Sequence, residues 1–245
     1  MTSAEGIRDA ITELLSGCNI PYSRTPYDQD LHDLCIKECN LKGYPVDSKI
    51  HGRASILKQL ILGVIITSNA YSHLSRTLQV YVALYGGFTI WIDDTFERDV
   101  MGVDSFVERF VTRKKQANAG LEGFDRFLRE ARDYFPGHQA DVVITTSLYY
   151  VSSIILEFET RGMQVSLLNR WMILECLTFM TSQVSPHATN YPSYLRTMSG
   201  DCDGYGMLIF PPEIPVKSYA SVMPDMGVVI NHLKWVYVPL GFDDS

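Results

Sequence analysis

The segment from Leu78 to Ile92 (Leu-Gln-Val-Tyr-Val-Ala-Leu-Tyr-Gly-Gly-Phe-Thr-Ile-Trp-Ile) is apolar on nearly every face of a helix, and it runs directly into Asp93-Asp94. A helix of that kind is stable in water only where other elements enclose it on all sides. The chain must therefore build a shell around a central helix whose carboxy-terminal end carries concentrated negative charge. With 245 residues, 46% of them apolar, and a mean hydropathy of +0.00, it has enough apolar surface for one such core. Gly86-Gly87 inside the segment costs about 1 kcal/mol per residue relative to alanine. That loss makes sense where another backbone or a ligand comes close.

The shell is legible as recurring helical periodicity. Thr2 and Glu5 have the spacing of a capping box ahead of Ile7, Ile11, Leu14 and Leu15. Leu31, Leu34 and Cys35 mark a second helix; Ile56, Leu57, Leu60, Ile61, Val64 and Ile65 mark a third. Phe106, Phe110 and Val111 mark an exposed helix, and Leu148, Val151, Ile154, Ile155 and Phe158 a further one whose start is blurred by the β-branched run Val142-Val143-Ile144-Thr145-Thr146. Breaks are predicted at Pro136-Gly137, Ser185-Pro186, Tyr191-Pro192 and Pro211-Pro212. No repeat, low-complexity tract or linker intervenes, so the predicted architecture is all-α, one helical bundle domain over residues 1–245.

Charge narrows the function. The chain has 21 basic and 28 acidic residues, a formal charge of -7 and a pI near 5.3, which gives no electrostatic footprint for a nucleic acid or an anionic membrane. Neither is expected as a partner, and an anionic substrate needs a metal or a local basic cluster. The amino terminus has no basic flank followed by an apolar stretch. The longest apolar run, Leu60 to Ile66, falls short of the roughly 20 residues that span a bilayer. A cytoplasmic chain is expected, with Cys18, Cys35, Cys39, Cys176 and Cys202 as reduced structural thiols.

Asp93-Asp94-Thr95-Phe96-Glu97-Arg98-Asp99 sets four carboxylates against one cation. If the helix continues, Asp93 and Glu97 lie one turn apart with Asp94 beside them, and like charges at that spacing repel. If it stops, the negative end of the helix dipole adds to the cost. A divalent cation removes both penalties, and carboxylate oxygens, waters and substrate phosphates are the ligands Mg²⁺ prefers. Without a cation, Glu97, Arg98 and Asp99 read as a solvated turn.

Asp93-Asp94-x-x-Glu97, in the context Leu-Tyr-Gly-Gly-Phe-Thr-Ile-Trp-Ile-Asp-Asp, resembles the aspartate-rich motif of class I terpene synthases, in particular the fungal trichodiene synthase-like family. Tyr191-Pro192-Ser193-Tyr194-Leu195-Arg196-Thr197-Met198-Ser199-Gly200, followed by Tyr205 and Ile209-Phe210-Pro211, resembles that family's segment carrying a diphosphate-sensing arginine. The resemblance runs from about Leu31 to Leu233. It implies a helical bundle that ionises and cyclises a prenyl diphosphate, farnesyl diphosphate above all, to a sesquiterpene. Asp93, Asp94 and Glu97 would hold Mg²⁺, Asp93 and Arg196 would be catalytic, and Arg196 would read the diphosphate, to which its guanidinium can bond bidentately. Tyr85 and Phe88, on the helix below the acidic cluster, are candidates either for an aromatic wall facing a carbocation or for plain core packing. Relatives of this kind often form homodimers, an implication of analogy alone.

The pattern stops after Leu233. Met226-Gly227-Val228-Val229-Ile230-Asn231-His232-Leu233 matches the approach to a second metal motif, Asn-Asp-x-x-Ser-x-x-x-Glu, but residues 234–245 form an atypical tail in its place and in place of the closing helices. The expectation is a carboxy-terminally truncated member with exposed apolar surface. Two readings stay open: a cyclase, or a non-catalytic helical pseudoenzyme that binds prenyl diphosphate or a partner subunit. The six histidines show no metal-ligand spacing, Asp201-Cys202-Asp203-Gly204 reads as a loop, and no phosphate loop, dinucleotide fingerprint or nucleophile elbow is present.

Overall fold

Helix termini follow the local chemistry closely. In the computed structural model, which describes residues 26–96, 100–160, 191–199 and 201–233 with residues 13, 16 and 17, the helix α1 (Gln29–Lys42) starts where the Asp28 carboxylate accepts from the Leu31 amide. It stops at Gly43, whose φ of +64° is the left-handed conformation that glycine adopts without cost. α2 (Leu57–Ala70) and the central α3 (Arg76–Phe96) follow. α3 runs unbroken through Asp93 and Asp94 and is buried on nearly every face, as its composition requires. The capping-box segment, Ser185-Pro186, Glu97 and the 234–245 tail lie outside the described residues.

The glycine pair of α3 is explained by α2. A Cβ on Gly63 would lie 2.1 Å from the Ala83 carbonyl oxygen and 2.9 Å from the Gly87 nitrogen, and one on Gly86 would lie 3.1 Å from the Gly63 Cα. The two backbones touch there, so close helix packing accounts for Gly86-Gly87 without a ligand. On another side of α3, α4 (Phe106–Thr112) and α5 (Ala119–Arg129) supply an aromatic layer: Phe88 packs on Phe124 and Phe127 at 5.7 and 5.2 Å, and Tyr81 stacks on Phe127 at 4.5 Å. Burial within α1 pushes the Cys35 and Cys39 thiols up to about 12, and both are free.

α6 (Gly137–Glu159) begins directly after Pro136 and contains the β-branched run, so that run does not delay the helix. Thr145 and Thr146 place their hydroxyls on the carbonyls of Asp141 and Val142 one turn back, at 2.8 Å each. By length and composition α6 is apolar enough to cross a membrane, a property that the core helix of a soluble protein shares. Here it is a packing element: the Gln139 amide donates to the carbonyls of Met207 and Phe210, both at 2.7 Å.

At the predicted break Tyr191-Pro192 the helix α7 (Tyr191–Ser199) begins, because proline is tolerated where the helix has no partner for its amide. One further expectation is corrected. Asp201-Cys202-Asp203-Gly204 is not a loop but the start of α8 (Cys202–Leu208). α9 (Met223–Leu233) packs on α8 and leaves Val229 half exposed. Among the described residues there is no strand.

Candidate functional site

One narrow polar stripe interrupts the apolar surface of α3. Tyr85, Thr89 and Asp93 recur at intervals of one turn and so share a face. Buried polar groups need partners, and α6 and α8 provide them. The Tyr85 hydroxyl donates to a carboxylate oxygen of Asp201 and lies 2.9 Å from the Ser147 hydroxyl. Thr89 meets the Tyr205 hydroxyl at 2.9 Å, and the Tyr150 hydroxyl donates to the Thr89 carbonyl at 3.3 Å. Asp201 is only 3% exposed and holds φ at +46°, at the junction of α7 and α8. A Cβ on Gly204 would fall 2.6 Å from an Asp201 oxygen and 2.7 Å from the Tyr85 hydroxyl, so this network needs glycine there. Burial, reinforced by the Asp201 charge, holds the Tyr85 hydroxyl well above the ordinary tyrosine range.

The stripe ends at the acidic pair, where both carboxylates are exposed on the last turn of α3. They serve different neighbours. Asp94 accepts a hydrogen bond of 2.7 Å from the amide of Gln59 in the first turn of α2. Gln59 is 8% exposed, and its own carbonyl oxygen is buried without a hydrogen-bond partner. Asp93 lies on the α6 side, where its charge adds to burial in raising the Tyr150 hydroxyl. A buried amide that fixes one carboxylate, next to a second that stays accessible, is the kind of support that metal-ligating carboxylates receive.

The residues singled out by sequence fall as follows. Asp93, Asp94 and Tyr85 come together along one end and face of α3. Phe88 is also fully buried, but it points into the aromatic layer of Tyr44, Phe124 and Phe127. Arg196 sits on α7 between buried Leu195 and exposed Thr197, its side chain outside the described residues, as is Glu97. Among the described residues no three His, Cys, Asp or Glu side chains converge on one point. The residues sequence reasoning did not find are Gln59, Thr89, Ser147, Tyr150 and Asp201. A glutamine in the apolar run of α2 and a threonine in the apolar run of α3 were the available signals.

The chain is 32% identical over 226 residues to an alpha-cuprenene synthase of Coprinopsis cinerea, an alignment covering 92% of this chain and 63% of that protein. It is 27% identical over 217 residues to terpene synthase BipA of Cochliobolus sativus, covering 85% of this chain and 59% of the relative. It is 21% identical over 225 residues to an (E)-beta farnesene synthase of Metarhizium brunneum, covering 87% and 60%. The chain thus spans less than two thirds of the length of the curated relatives it matches. No protein-family model matches it.

Proposed function

Because this chain is a homologue of the fungal terpene synthases, we propose that it is a class I terpene cyclase that ionises a prenyl diphosphate, farnesyl diphosphate as the leading substrate, at the end of α3. The observation that carries this reading is the exposed Asp93-Asp94 pair on the last turn of a wholly buried helix, with Asp94 held by Gln59. Solubility alone does not call for two carboxylates at the negative end of a helix dipole.

The residues fit Mg²⁺. That ion is usually held through one or two carboxylates, with waters and substrate phosphates filling the remaining positions, and Asp93 and Asp94 supply two. When bound, Mg²⁺ would supply Lewis acidity toward the leaving diphosphate. Asp93 and Asp94 bind, Gln59 orients Asp94, and Arg196 and Glu97 complete the diphosphate-facing set by resemblance to the family motifs. The Tyr85–Asp201 network locks α3 against α6 and α8, so that the acidic turn keeps its position relative to the elements that carry it. Tyr85 serves in that network and not as an open wall.

The test is to incubate the full chain with farnesyl diphosphate and Mg²⁺ and analyse extracts by gas chromatography with mass spectrometry. A sesquiterpene product that is lost in Asp93→Asn supports the reading. Gln59→Leu is expected to raise the Mg²⁺ concentration needed by about 10- to 100-fold, the range seen when a ligand's supporting partner is removed. Saturable, Mg²⁺-dependent binding of farnesyl diphosphate without any product would instead establish the non-catalytic binder. Absence of both binding and product would overturn the site.

A further inference from the structure

A concave site lies away from the acidic pair. The carboxy-terminal end of α4, residues 113–115, the outer side of α5 and Ile144 of α6 enclose a groove of about 870 Å³, and Asp93, Asp94 and Gln59 take no part in it. Six cationic side chains line it against two carboxylates, on a chain whose formal charge is -7. Such a concentration of one sign focuses the local field toward anions.

Most of these charges have an internal duty. Asp125 is engaged by Arg129 at 2.5 Å and by the Gln116 amide at 2.8 Å, and Glu122 accepts the Gln116 backbone amide at 2.8 Å. Lys114 pairs with Glu108 at 2.8 Å and Arg132 with Asp141. Arg126 donates to the carbonyls of Lys42 and Gly43. Arg113 and Lys115 make no ion pair among the described residues.

Capping of α4 does not explain those two. The Arg113 backbone amide donates to the Phe110 carbonyl and the Lys114 amide to the Arg109 carbonyl, while the Arg109 guanidinium holds the Lys115 carbonyl at 2.8 Å. The turn is therefore built by backbone groups and by Arg109, and the Arg113 and Lys115 side chains are left over. Arg113 also holds φ at +56°, where glycine is the easier occupant at the end of a helix. An arginine occupies a position whose backbone favours glycine. Beside these cations the groove has an apolar flank, Phe110 and Ile144.

We propose that this groove binds a phosphorylated small molecule, its phosphate held by Arg113 and Lys115 and its apolar part lying against Phe110 and Ile144. A guanidinium presents two parallel donors to phosphate oxygens, and the volume lies within the range of small-molecule sites, about 300–1,000 Å³. A free metabolite and a lipid headgroup present the same phosphate chemistry to Arg113 and Lys115.

Calorimetric titration of the full chain with inorganic diphosphate in EDTA removes the Mg²⁺-dependent contribution of the acidic pair, and the groove variant separates this site from Arg196. Saturable binding that weakens with added salt is expected, with at least about a tenfold loss of affinity in Arg113→Gly/Lys115→Gln, the scale of losing one charged hydrogen bond. Glycine suits the backbone at position 113, so the variant is expected to melt at or above the wild-type temperature, and a loss of binding is then not a loss of fold. Sedimentation with phosphatidylcholine vesicles, with and without phosphatidic acid, separates the sources: capture by phosphatidic acid that disappears in the variant assigns a headgroup, and diphosphate binding without capture assigns a soluble ligand. The proposal is overturned if neither probe binds, or if binding is unchanged in the variant.

Discussion

Gly63→Ala tests the backbone contact on which the central helix depends. The added methyl carbon would stand 2.1 Å from the Ala83 carbonyl oxygen and 2.9 Å from the Gly87 nitrogen. Both are backbone atoms, so no rotamer change relieves the overlap and α2 must move from α3 by on the order of 1 Å, a gap that forfeits about a quarter to a half of each dispersion contact across it. Leu60 and Val64, both fully buried beside Gly63, are each worth about 1.5–3 kcal/mol. Half of that combined burial is about 1.5–3 kcal/mol, in line with the overpacking range of about 1–3 kcal/mol. Alanine returns about 1 kcal/mol of helix propensity, leaving a net destabilisation of about 0.5–2 kcal/mol. For a chain of this size that lowers the thermal midpoint by roughly 1–8 °C, measurable by circular dichroism. The control is Gly137→Ala, in the first turn of α6, where a Cβ meets nothing closer than an Arg132 nitrogen at 4.0 Å. It is expected to stabilise by about 0.4–1 kcal/mol through the unfolded chain. If Gly63→Ala is as stabilising as Gly137→Ala, the two helices do not pack backbone to backbone and the argument fails.

Three other outcomes can be checked. Tyr85→Phe removes a donor to the buried Asp201 carboxylate, and a cost of about 1.5–3 kcal/mol is expected in urea unfolding; an unchanged midpoint would mean the network holds nothing in place. The hydrogen bond from Arg76 holds the Asp28 carboxyl below the usual carboxylate range. A depressed carboxyl stabilises the fold above its unfolded value, near 3.9, and the stabilisation is lost as pH falls through the folded value. Asp28→Asn keeps the helix cap, so its deficit against wild type should be about 0.2–1 kcal/mol at pH 7, as for exposed pairs, and should vanish below the folded value; a deficit that persists in acid would assign the effect to the cap. With their thiols pushed up to about 12, Cys35 and Cys39 should resist a thiol reagent at pH 8 and react promptly in denaturant; rapid labelling of the native chain at either position would refute their burial.

Much of the helical order is legible in the sequence, because an apolar stripe at helical period leaves few alternatives to burial. One misreading came where a local signal carried two meanings. Asp201 to Gly204 looked like a loop because Asp and Gly favour turns, yet here the aspartate is buried against Tyr85 and the glycine leaves room for it.

By itself the sequence determined the all-helical class, the buried central helix and the acidic pair at its end, since each depends on residues close along the chain. Tertiary structure alone decided which side chains meet. Gln59 reaches Asp94 across 35 positions, and Tyr85 reaches Asp201 across 116. It also decided that Gly86-Gly87 answers Gly63, and that Phe88 turns into the aromatic layer while Tyr85 turns into the polar network. Periodicity specifies a face of a helix, but the partner on that face is chosen by the packing of the whole chain.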